Sequence, residues 1–278
     1  MQPPYAAYDR PYCWWDPAGR APAAPDLPDL IVGGALSAPV AALLLAAMAR
    51  GASIVVVAEP SGAGKTTLLT ALTRRLPSPV RRCYLRGCYD RLTLLNDPTV
   101  DPTQTVLLIN EISPHLPHYL WGDGVGRVLA ATERGFRLAA TAHAADAVGF
   151  VRLLTAPPLR LPAPSAAAFD LVVALESARP PAAALRRVSG LWALSARPPA
   201  GVEIMALGRG HEDLSELLTR LTAARPQCPR LADIGAAKIL HALPTALAVA
   251  PLEQPGTRPE RMLEETDLNE RGGETVPG

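Results

Sequence analysis

No Cys-x-x-Cys pair occurs in this chain of 278 residues; its four cysteines, Cys13, Cys83, Cys88 and Cys228, are scattered. That spacing excludes a zinc knuckle and a disulfide framework, and it fits a reducing cytoplasm. An excess of one charge is also missing. Lys and Arg number 27 against 26 Asp and Glu, a formal net charge of +1, so the basic stripe that sequence-independent nucleic-acid binding requires is absent and nucleic acid is not indicated. Long apolar runs are lacking too. The stretch Ala38 to Ala49 contains Pro39 and falls short of the about 20 residues of a spanning helix. The opening Met1-Gln2-Pro3-Pro4 has no apolar h-region, which predicts no signal peptide. No internal repeat is evident.

What the chain does have is enough apolar material, 49% of its residues, to bury one sizeable core. Residues 1–30 are rich in proline, with Tyr5, Tyr8, Tyr12, Trp14 and Trp15. They read as an arm, either idle or docked on this subunit or a neighbour. Residues 31–200 read as the core domain, 201–250 as a small helical C-terminal extension, and 251–278 as a disordered tail rich in Glu, Arg, Gly and Pro.

Within the core, helix and strand signals alternate. Ser37 and Pro39 predict a helix over Ala38 to Arg50 closed by Gly51. Strands are expected at Ser53 to Ala58, Val80 to Leu85, Thr105 to Ile109, Phe136 to Thr141, Phe169 to Leu175 and Leu185 to Leu194, the last before Pro198-Pro199. Helices are expected from Thr66 to about Leu76, His118 to Arg134 with Gly135 at C′, and Asp146 to Thr155. Asp213 to Ala224 and Leu231 to Leu243 follow as helices of the extension. The order implies an α/β fold with a mostly parallel sheet and helices on both faces.

The strand Ile54-Val55-Val56-Val57 leads into Glu59-Pro60-Ser61-Gly62-Ala63-Gly64-Lys65-Thr66 and a helix beginning Thr67-Leu68-Leu69. Strand, glycine-bearing loop and helix start together make a phosphate cradle. Ser61, Gly62, Ala63, Gly64, Lys65, Thr66 and Thr67 are its candidate binding residues. Lys65 would reach the β/γ-phosphates of ATP, and Thr66 would hold Mg²⁺. Glu59 stands where the G-x-x-x-x-G-K-[ST] pattern begins with glycine.

Phosphoryl transfer to water needs charge neutralisation and a group that orients the water. Glu111, after Thr105-Val106-Leu107-Leu108-Ile109, sits at a strand end, where such a sheet exposes polar groups to a ligand crevice. His143, in Thr141-Ala142-His143-Ala144, ends another strand and suits a γ-phosphate sensor. His115 and His118 form an H-x-x-H interrupted by Pro117, with no further ligand nearby, so metal binding there is not expected.

Taken in order, Gly62-Ala63-Gly64-Lys65-Thr66-Thr67, Leu107-Leu108-Ile109-Asn110-Glu111 and Ala140-Thr141-Ala142-His143-Ala144 resemble the type II/type IV secretion and pilus-motor ATPases, over about residues 31–194. The likeness is greatest to the branch serving tight-adherence pili and export. It implies a P-loop NTPase with a RecA-like core and a hexameric ring. It also implies ATP and Mg²⁺ as ligands, an inner-membrane platform partner, and a cytoplasmic place peripheral to that membrane. In this family Glu111 closes the Walker B strand and His143 lies in a T-x-H-A box. The family's acidic box would fall near Leu85 to Asp90, where Asp90 is the only acid. Its N-terminal domain has at most the arm as counterpart. Two alternatives therefore stand beside the motor: a nucleotide-binding scaffold or ring subunit that scarcely hydrolyses, and a kinase acting on a small acceptor.

Overall fold

A computed structural model describes residues 6–11, 25–59, 61–177, 186–224 and 228–248. Its centre is a seven-stranded sheet in the order β2-β3-β4-β1-β5-β6-β7. The strands are β1 (Ile54–Val57), β2 (Arg81–Tyr84), β3 (Thr105–Ile112), β4 (Arg137–Ala142), β5 (Leu171–Ser177), β6 (Arg186–Arg197) and β7 (Gly201–Gly208). The first five run parallel, and β6 and β7 are added antiparallel at one edge.

The apolar run of β1 has a direct cause. Ile54 and Val56 enter one buried layer while Val55 and Val57 enter the other, so the strand alternates between two cores rather than between core and water. Helix α2 (Ala38–Ala49) is buried at every position from Val40 to Met48. An all-round apolar helix of that length belongs inside a core. Among the described residues no helix is long and apolar enough to cross a membrane.

The helices α1 (Leu27–Val32), α3 (Lys65–Thr73), α4 (Asp123–Ala130), α5 (Ala147–Thr155), α6 (Leu214–Ala224), α7 (Pro229–Ala232) and α8 (Ala236–Leu247) complete the fold. Several differ from expectation. The helix expected from His118 starts only at Asp123, because the segment after β3 turns back and pairs Leu120 with Ile112. Its α-helical part closes at Ala130, short of the expected Arg134, and a 3₁₀ turn over Ala131–Arg134 leads to Gly135, in the left-handed region at φ 103° as expected. Strand β3 runs three residues beyond Ile109.

Pro198-Pro199 does not end the sheet. It sits in the turn between β6 and an unexpected seventh strand, where the missing proline N–H groups cost no ladder bonds. The expected helix over Leu231 to Leu243 is two helices parted at Asp233–Gly235.

Nor do the expected boundaries at 30 and 200 mark breaks. Asp26 caps α1, Leu27 is fully buried, and Arg75 Nη2 at the end of α3 pairs with Asp26 Oδ2 at 2.7 Å. Residues 201–208 are a sheet strand. Leu217, Leu221, Leu231, Ile239 and Ala246 of the C-terminal helices, with Ile234 between α7 and α8, share one core with α2. Asp170, just before β5, accepts from Ser53 N at 2.7 Å and Arg230 Nη1 at 2.9 Å, tying α7 to the central strands. From the arm, Tyr8 donates to Asp90 and Asp9 accepts from Arg81, so its described part docks on its own subunit. The disorder expected over 251–278 lies outside the described residues.

Burial also sorts the thiols. Cys83 and Cys228 are buried, and desolvation pushes both up to about 11, whereas Cys88 is exposed. Since the thiolate is the nucleophile, native alkylation with peptide mapping is expected to modify Cys88 at once and leave Cys83 and Cys228 until the chain unfolds.

Candidate functional site

The carboxyl ends of β3, β4 and β1, three neighbours in the sheet, bring together residues far apart in sequence. After β1 the chain turns through Gly62 and Gly64, with φ of 77° and 95°. Side chains other than glycine rarely adopt that region. Gly64 is the N-cap of α3 and offers no side chain to its first N–H groups, which stay available to an anion. A Cβ added at Gly62 would meet nothing within 4 Å, so the loop opens to solvent above that position. Ala63 is buried beneath it, Ser61 is exposed, and Thr66 and Thr67 are half-buried in the first turn of α3.

Lys65, the first residue of α3, is only 6% exposed. Its Nζ lies 3.5 Å from Glu111 Oε2. Burial pulls the ammonium below its ordinary value, against the opposing pull of Glu111. Glu111 is equally buried, at 6%, and a slip in the β3–β4 ladder puts it there. Pairing shifts between Ile109 and Ile112, and such a bulge re-aims the side chains it contains. Thr141 Oγ1 donates to Asn110 O at 2.5 Å and Leu120 N to Glu111 O at 2.9 Å, pinning both bulge residues.

The second carboxylate oxygen, Glu111 Oε1, lies 3.0 Å from His143 Nε2. The other ring nitrogen, Nδ1, is 3.1 Å from Glu59 O. A carbonyl can only accept, so Nδ1 carries the proton that donates to it. Glu59 therefore serves the site through its main chain while its side chain is exposed. The structure thus gathers Lys65, Glu111 and His143 on one side of the sheet edge beside the loop.

Two neighbours were not legible beforehand. His115 sits with its ring centroid 5.2 Å from that of His143, brought back by the turn after β3, where His115 N donates to Ser113 Oγ. His118 instead meets Tyr119 edge-on, and the expectation that no further ligand lies near the H-x-x-H fails at His115, which has Glu111 and His143 close by. Arg186, at the start of β6, lies over the loop: a Cβ at Gly64 would stand 3.3 Å from Arg186 Cδ. Only the hairpin return of β6 along β5 makes that contact. Asp90, by contrast, accepts from Tyr8 Oη, Arg86 N and Leu92 N and holds its own turn and the arm.

A cleft of about 770 Å³ lies elsewhere, between Arg187, Trp192, Arg209 and Arg220. None of Ser61 to Thr67, Glu111 or His143 lines it. No protein-family model matches the chain, and a search of curated proteins likewise finds no match.

Proposed function

We propose that the chain is a P-loop ATPase with a RecA-like core, akin to the secretion and pilus-assembly motors, and that it couples ATP hydrolysis to pilus assembly or macromolecular export. The observation that carries this reading is the carboxylate of Glu111, held between Lys65 and His143 beside an open glycine loop at a helix N-terminus. A lysine alone at such a loop would fit many anions. A lysine, an acid and an imidazole on one crevice fit cleavage of a terminal phosphate by water.

The loop suits a triphosphate. Gly62 and Gly64 let the main chain approach closely, no side chain caps the first N–H groups of α3, and Lys65 stands at the head of that helix. Thr66 would hold Mg²⁺, which when bound supplies charge neutralisation on the phosphate oxygens. Glu111 orients the attacking water and takes up its proton. His143, its Nδ1–H tethered to Glu59 O, presents Nε2 to the same space. Arg186 adds a second cation over the loop. A homo-hexameric ring and an inner-membrane platform as partner belong to the same proposal, as does a cytoplasmic location peripheral to that membrane.

One observation favours the second reading, a nucleotide-gated scaffold with little turnover: Asp90, the only candidate for the acidic box, is taken up by Tyr8 and its own turn. Phosphate release and ATP affinity, measured on the full chain with Mg²⁺, separate the two. Saturable release with ATP affinity supports the ATPase. Tight binding without release supports the scaffold, and transfer to an acceptor points to a kinase. Electron microscopy with a non-hydrolysable analogue then tests the ring.

A further inference from the structure

We propose that Glu111, His115 and His143 form a binding site for an imidazole-preferring divalent cation of the Zn²⁺ class, and that its occupation takes Glu111 and His143 out of use. The second half rests on the ATPase reading above; the first stands without it.

One ligand atom from each of the three residues can be chosen so that all lie within 4.8 Å of one another. The set is two imidazoles and one carboxylate, a composition that suits zinc and its neighbours and leaves a fourth position open, whereas Mg²⁺ prefers oxygen. Ligands at 2.0–2.1 Å around a tetrahedral ion stand about 3.3 Å apart. Glu111 Oε1 and His143 Nε2, at 3.0 Å, already have nearly that bite.

Two features distinguish this arrangement from an ordinary ion pair. His143 Nδ1–H is committed to Glu59 O, the support a metal-bound histidine usually has, and it leaves Nε2 as the free lone pair. Glu111 Oε1 is buried and has no hydrogen bond of acceptable geometry, even from the nearby Nε2. An oxygen and a nitrogen lone pair set close together but not along a hydrogen bond repel one another unless a cation sits between them. Glu111 Oε2, turned to Lys65, would keep its lysine while Oε1 binds the ion. The third ligand is the adjustable one: His115 is exposed on the turn after β3, so its rotamer can close the remaining gap.

The test uses the full chain with Zn²⁺ alone, by calorimetry, and Co²⁺ as a spectroscopic stand-in. One equivalent of Zn²⁺ is expected to bind, and Co²⁺ to give the visible absorption of a tetrahedral site. His115→Ala and His143→Ala should each weaken binding by about tenfold or more, and Cys88→Ser should leave it unchanged. Absence of stoichiometric binding, an unaltered affinity in His115→Ala, or loss of the site in Cys88→Ser would overturn the proposal. In a second arm, Zn²⁺ is added to the MgATP turnover assay. Inhibition that needs at least about tenfold more Zn²⁺ in His115→Ala supports the inhibitory half; equal inhibition of both proteins overturns it. Because the binding arm contains no nucleotide, a chain with no ATPase activity still gives a decisive answer there.

Discussion

Replacing Glu111 by Gln is expected to lower ATP turnover by about 10²- to 10⁴-fold, the usual worth of a positioned proton acceptor, while ATP binding survives. The amide keeps the volume and both heteroatoms of the buried side chain, so the bulge in β3 and the bonds at Asn110 O and Glu111 O have no reason to shift. What changes is charge. Without the carboxylate the water loses the acceptor proposed for its proton, and Lys65 loses its ion-pair partner among the described residues. Incoming phosphates then meet a lysine with no competing partner and no repelling acid, so affinity should hold or rise. Phosphate release and equilibrium nucleotide binding on the same preparation check this. Turnover near that of the parent chain would remove Glu111 from the role proposed for it, and loss of binding would mean that the acid shapes the loop.

How far such a site can be read from a chain depends on whether its residues are local. The runs Ile54–Val57 and Val106–Ile109 are apolar at every position because each strand faces two cores, and that pattern is visible in one dimension. The polar residues closing such runs, Glu111 and His143, were therefore legible, as was the loop between β1 and α3. Lys65 is legible as part of that loop, in Gly64-Lys65-Thr66.

The remainder depends on partners. The β3 bulge that aims Glu111 exists only against β4. His115 joins the site because Pro114 and Pro117 bend the following segment back to the sheet, and the sequence pattern suggested only a helix starting near His118. Arg186 arrives by an antiparallel return. Strand β7 has no local signal, because the two prolines that suggest the end of the sheet occupy its last turn. The C-terminal helices follow the core in sequence and read as an extension, but their buried residues share one core with α2, a contact that only the folded chain makes.

Lys65→Met should both weaken ATP binding and expose the electrostatics of the buried pair. A charged hydrogen bond contributes roughly 1.5–3 kcal/mol, which predicts a loss of affinity of about 10- to 100-fold. The pH dependence is more specific. Burial sets the folded lysine below its ordinary value of 10.5, so between those two values the unfolded chain holds more protons than the folded one. Stability therefore rises with pH across that window and is flat, for this group, below it. Denaturant unfolding should show the parent gaining on Lys65→Met through the alkaline window; a gap that narrows or stays constant would mean that Lys65 is not desolvated. Phosphates act in the opposite direction, because a bound polyanion favours the ammonium form. ATP affinity should accordingly begin to fall with rising pH before 10.5 is reached, with proton uptake on binding in the same range. Calorimetry in buffers of different ionisation enthalpy measures that uptake, and its loss in Lys65→Met assigns it to this side chain.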